Sequence, residues 1–101
     1  MFKLFFGKSG IGKTFKAKKF AENLKKNLVR IEEDNIPAHP HSMENCLYLI
    51  DDIDFFSNAK QKEVAFFLSN CHTEDVILTC KKISDVSLEI LQTVEKIELQ
   101  P

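Results

Sequence analysis

Four residues near the start of the chain have the types and spacing to hold a chain of phosphates. Gly7, Gly12, Lys13 and Thr14 fit the pattern of glycine, four free positions, glycine, lysine and then serine or threonine, within "GKSGIGKT". Glycine opens backbone angles closed to other residues and lets the main chain approach an anion. Gly7, Gly10 and Gly12, the only glycines present, therefore allow successive N–H groups and a helix N-terminus to converge on phosphate oxygens. Lys13 would set a point charge on the β- and γ-phosphates, and the Thr14 hydroxyl would ligate Mg²⁺. The candidate nucleotide-binding stretch is Gly7, Lys8, Ser9, Gly10, Ile11, Gly12, Lys13 and Thr14, with Phe15 behind it.

A second constellation stands in "LYLIDDID", where Asp51 and Asp52 directly follow the apolar run Cys46 to Ile50. Where a buried strand ends beside a phosphate loop, one carboxylate holds Mg²⁺ through its water shell, and the next orients or deprotonates the attacking water. Asp51 is the candidate metal holder; Asp52, with Lys13, is the candidate catalytic group. Asp54 leaves an acidic turn as the bland alternative. Thr79, near the end of the apolar run "VILTC", is the third catalytic candidate, with Lys81 just beyond it at the same edge.

These groups need elements to position them. "FKLFF" (residues 2–6) has strand length, and "KTFKAKKFAENLKKNL" carries Ala17, Phe20, Ala21, Leu24 and Leu28 at helical spacing. "LVRI" (28–31) reads as a second strand. The acidic segment 32–45, interrupted by two prolines, cannot be regular helix or central strand and is expected to be the most mobile loop. "CLYLI" follows as a buried strand. "NAKQKEVAFFLSNC" is a helix with Ser57 as N-cap and Val64, Phe67, Leu68 and Cys71 on one face. "VILTC" is another buried strand, "SDVSLEILQ" a short helix and "VEKIEL" the last strand. Near-continuous apolar strands alternating with helices predict a three-layer α/β fold. Its five-stranded parallel sheet is covered on both faces, and ligands bind at the carboxyl ends of the strands.

Composition is consistent with one domain over residues 1–101, with 44% hydrophobic residues and nine phenylalanines for a packed core. No apolar run approaches the ~20 residues of a membrane span, and Lys3 and Lys8 interrupt any signal-peptide core, so a cytoplasmic location is expected. Cys46, Cys71 and Cys80 are odd in number and widely spaced, which suits buried thiols in a reducing compartment. His39 to His41 with Cys46 lack zinc-site spacing, and His72 reads as an exposed helix end.

Residues 1–30 hold nine basic residues against one acid, a charge of +8, whereas the remainder holds five against fourteen, or −9. Such asymmetry can mark a nucleic-acid surface. A lysine-rich solvent face on the first helix is the favoured explanation, since only Phe15 is interleaved there to stack a base. Phe15 and Phe66 point away from the apolar faces of their helices and are candidate partner contacts.

"FFGKSGIGKT", "YLIDDIDFF", "QKEVAFFLSN" and "VILTCKKISDV" come in the order and character of the nucleotide-binding core of the DnaA and Hda group of AAA+ ATPases. The chain resembles that group over most of its length, and the paired aspartates followed by isoleucine are more typical of it than of AAA+ proteins at large. The resemblance implies ATP and Mg²⁺ as ligands, a P-loop fold of strand order 5-1-4-3-2, and a role in control of bacterial DNA replication. The chain departs from the group in four ways. The segment between the second strand and the acidic strand is shorter. No arginine stands in "SLEILQTVEK" to act as a finger, and Arg30, the sole arginine, lies at the wrong strand for one. The sensor position aligns with Lys81, leaving Thr79 to serve. No lid sequence follows the last strand, which implies a partly open adenine and moderate affinity.

Four readings follow. One is a slow Mg²⁺-dependent ATPase, with a protein partner or a second copy supplying an arginine in trans. Another is a nucleotide-gated binding module in which hydrolysis is vestigial. A small kinase would need a basic lid and an acceptor pocket, for which one arginine and 101 residues leave no room. Direct DNA binding rests on the basic first helix alone, and steep salt dependence would be its signature.

Overall fold

In a computed structural model, residues 1–8, 12–40 and 45–99 are described. Five strands, β1 (Phe2–Phe6), β2 (Asn27–Arg30), β3 (Cys46–Ile50), β4 (Asp75–Cys80) and β5 (Glu95–Glu98), form one sheet. Their order is β2-β3-β4-β1-β5 and every pairing is parallel. Read from the other edge, this is the expected 5-1-4-3-2. Helices α1 (Lys13–Asn23), α2 (Asn58–Ser69) and α3 (Leu88–Leu91) complete the three-layer α/β architecture.

The pleat assigns side chains to layers. Leu4, Tyr48, Ile50, Val76 and Leu78 meet Val64, Phe67 and Leu68 of α2 and Ile90 of α3. Phe5, Leu47, Leu49 and Ile77 meet Ala17 and Ala21 of α1. All five residues of β3 are buried, because a strand covered on both faces has no solvent side on which to carry polar residues. Burying a side chain such as Phe67 or Leu68 contributes about 1.5–3 kcal/mol each.

The first helix is shorter than its apolar spacing suggests. It stops at Asn23; Leu24 is exposed and Leu28 belongs to β2. Lys25 takes a left-handed conformation (φ 56°), its N–H donates to the Glu22 carbonyl at 3.0 Å, and the Lys26 N–H donates to the Ala21 carbonyl at 2.9 Å. This double closure ends a helix by satisfying its last carbonyls, here with lysine where glycine is usual.

Ser57 caps α2 as expected, its hydroxyl accepting from the Lys60 N–H at 3.2 Å. The region expected as one helix over 84–92 divides into a 3₁₀ turn (Ile83–Asp85), an extended Val86 and the short α3, which Ser87 caps. The buried side chain of Gln61 explains the break. Its amide donates to the carbonyls of Phe56 (3.3 Å) and Asp85 (2.9 Å), and its oxygen accepts from the Ser87 N–H at 2.7 Å.

The acidic loop, expected to be mobile, is fastened along α2 over residues 32–40. The Glu33 carboxylate accepts from the Ser57 N–H at 3.0 Å, the Asn70 amide donates to the Ala38 carbonyl at 2.8 Å, and Ile36 packs on the core. His39 stands edge-on to Phe66; His41 lies outside the described residues.

Candidate functional site

Strand register gathers the chemistry at the carboxyl edge of the sheet. Ile50 pairs with Leu78 and Phe6 with Cys80. One step further, Asp51 comes beside Thr79, and the Gly7 N–H extends the β1–β4 ladder to the Cys80 carbonyl at 3.3 Å. Leu49 and Ile77 face α1; by the period of two, Asp51 and Thr79 share that face. Arg30 pairs with Leu49, which brings its side chain to the same place from the neighbouring strand.

At the start of α1, Gly12 is the N-cap with φ 83°. An added Cβ would meet nothing closer than 3.9 Å, so the backbone angle, not space, calls for glycine. No side chain among the described residues caps this helix end, and a helix N-terminus is a setting that suits an anion. Lys13 is 9% exposed, and its ammonium donates to the carbonyls of Gly7 (3.0 Å) and Lys8 (3.1 Å). These bonds give the buried ammonium hydrogen-bond partners and hold it against the loop. Phe15 is 64% exposed, with the Lys19 ammonium over its ring. Ser9, Gly10 and Ile11, assigned above to the nucleotide-binding stretch, lie outside the described residues.

Asp51 is the hub. The Thr14 hydroxyl donates to its two oxygens at 3.3 and 3.2 Å, the Thr79 hydroxyl donates to Oδ1 at 2.7 Å, and Arg30 Nη2 donates to Oδ2 at 2.8 Å. Thr79 is 1% exposed, and its oxygen also accepts the Asp52 N–H at 3.0 Å. Just after that N–H, Asp52 turns left-handed (φ 57°), a conformation aspartate tolerates better than most residues.

The Asp52 side chain reaches solvent at the strand end. Partial desolvation there, reinforced by the Asp51 and Asp54 carboxylates, still holds its carboxyl above the ordinary value, against the opposing pull of Lys13 and Arg30. Asp54 does structural work: Oδ2 accepts from the N–H groups of Lys81 (3.1 Å) and Lys82 (3.0 Å), and Oδ1 is buried without a partner among the described residues. Cys80 lies behind the site, where burial, followed by the nearby Asp54 carboxylate, pushes its thiol up to about 12. A thiol so poor in thiolate at neutral pH is packing rather than a nucleophile.

The structure thus brings together Lys13, Thr14, Asp51, Asp52 and Thr79, all singled out in the sequence. It adds Arg30, which no motif identified; parallel register between β2 and β3 was the signal that could have found it. Phe66 is exposed as its helical position indicated, and Phe55 and Leu88 are exposed as well.

No family model and no curated protein matches the sequence. Among solved structures, a DNA polymerase III gamma subunit-related protein from Thermotoga maritima superposes on 100% of this chain with a TM-score of 0.79 and 11% identity. The chain covers 41% of that protein's length. At such identity the likeness is one of fold.

Proposed function

We propose that this chain is an ATP-binding P-loop domain of the AAA+ kind, with DnaA/Hda character, that hydrolyses ATP slowly with Mg²⁺ in the control of bacterial DNA replication. The observation carrying this reading is the approach of the Thr14 hydroxyl to the Asp51 carboxylate at 3.2 Å, beside a phosphate loop whose lysine is already drawn inward. The replication setting draws support from the sequence resemblance and from the printed description of the fold neighbour, which is itself a DNA polymerase III gamma subunit-related protein.

The residues fit the metal. Mg²⁺ takes oxygen ligands and keeps several waters, and a threonine hydroxyl next to a carboxylate offers that donor set. When bound, Mg²⁺ neutralises charge on the β- and γ-phosphate oxygens. Lys13 exchanges its loop carbonyls for phosphate oxygens. Thr79 acts through others, aiming the Asp51 carboxylate and locking the backbone of Asp52. Asp52 orients water for attack on the γ-phosphorus; the new P–O bond forms as the bridging bond to the β-phosphate breaks, and the water's proton passes to the carboxylate. An arginine finger adds 10³–10⁵-fold in related enzymes. The sole arginine is engaged at Asp51 of its own chain, so fast turnover needs a finger from a protein partner or a second copy. That engagement equally supports a second reading, a nucleotide-gated interaction module without significant hydrolysis.

The test is titration with ATP and Mg²⁺ while phosphate release is followed. Lys13→Ala is expected to abolish binding. Asp52→Asn is expected to bind normally and to release phosphate about 10²-fold more slowly. Binding without release, unchanged by Asp52→Asn, selects the module; no binding at all sinks both readings.

A further inference from the structure

We infer that Arg30 is a built-in counter-cation for Asp51, a positioning residue that holds the carboxylate in the metal-free protein and that a divalent cation must outcompete. The inference rests on the proposed metal site at Thr14 and Asp51.

A carboxylate offers about four lone-pair positions, and Asp51 fills them from three donors: Thr14, Thr79 and Arg30. Two of the three are compatible with a metal. A hydroxyl that donates to a carboxylate still has lone pairs to offer a cation. The Arg30 guanidinium has none and carries like charge. Its Nη2 lies 2.8 Å from Oδ2, so a cation held by the same carboxylate would be repelled by it. In the metal-free protein the same contact relieves repulsion among Asp51, Asp52 and Asp54, which emerge within four positions of one another.

Arg30 also has somewhere to go. Its Nε lies 3.5 Å from Glu32 Oε1, so a second carboxylate already shares the guanidinium. The cation can therefore take Asp51 while Glu32 keeps Arg30 paired. An arginine acting instead as a finger on the phosphates would have the opposite signature, since its loss would weaken the site.

Mn²⁺ alone, without nucleotide, is the probe, its affinity for the parent chain and for Arg30→Gln measured by electron paramagnetic resonance. Arg30→Gln is expected to bind Mn²⁺ about tenfold more tightly. An unchanged or weaker affinity in folded Arg30→Gln overturns the inference. Because the chain has a single arginine, its side-chain Nε–Hε NMR signal reports the contact without substitution. That signal is expected to move as Mg²⁺ saturates the parent protein, and a signal that stays in place overturns the inference equally. Absence of Mn²⁺ binding by both proteins overturns this inference, while the metal site is judged separately by the titration with ATP and Mg²⁺.

Discussion

A hydroxyl has one hydrogen to donate and lone pairs to accept with, and Thr79 uses both kinds, towards Asp51 and the Asp52 N–H. Replacing it with valine keeps the shape and removes both bonds. Thr79→Val is expected to lower stability by about 1–3 kcal/mol, the cost of leaving a buried polar group unpaired, and to weaken Mg²⁺-dependent ATP binding. Thr79→Ser should preserve both properties. Denaturant unfolding and nucleotide titration of the two variants check this; equal losses from both would remove the hydroxyl from the explanation. At this scale the glycine–lysine–threonine motif and the aspartate pair could be singled out because each is local, a few adjacent residues at a strand end. The service Thr79 performs could not, since its partners lie 27 and 28 positions away.

Among the elements, two local choices run against simple pattern. Helix α1 ends on a lysine in a glycine conformation, and left-handed backbone costs a residue with a Cβ about 1–2 kcal/mol. Lys25→Gly is expected to raise stability by about 0.5–1 kcal/mol, less than the full relief because glycine loses more entropy on folding. Thermal unfolding of the variant measures it, and a fall in Tm would show that the lysine side chain contributes elsewhere. The second choice is Gln61, a polar residue on the buried side of α2. Gln61→Leu leaves the Phe56 and Asp85 carbonyls and the Ser87 N–H without partners, and a loss of about 2–3 kcal/mol is expected. Retained stability in that variant would mean that these groups find other partners. Apolar spacing correctly located α2, but it extended α1 through Leu24 and merged residues 84–92 into one helix. Spacing reports which residues are apolar; it does not report where a carbonyl finds its hydrogen-bond donor.

Over the whole molecule, the charge split between residues 1–30 and the rest has an internal use. Of the described salt bridges, all but Lys60–Glu63 join the first thirty residues to later ones: Met1 and Lys26 to Asp75, Lys3 to Glu95, and Arg30 to Glu32 and Asp51. Desolvation alone would push the Asp75 carboxyl up, but Lys26 and the amino terminus together hold it below its ordinary value of 3.8. Its stabilisation is therefore complete above about pH 4 and is lost as pH falls through the lower folded value. Asp75→Asn is expected to cost about 1 kcal/mol at pH 7, a figure limited by the partial exposure of the pair. The gap to the parent should close in strong acid; a gap independent of pH would assign the loss to packing. The described residues contain no helix long and apolar enough to cross a membrane. The sequence by itself determined the alternation of apolar strands and helices, the parallel sheet and the two motifs at its carboxyl edge, because each is written in contiguous residues. Only the tertiary structure decided that Arg30 meets Asp51, that Gln61 joins three chain segments and that residues 32–40 of the acidic loop lie fastened along α2. Those contacts depend on how parallel strands align and which layers meet, and neither is contained in any single stretch of chain.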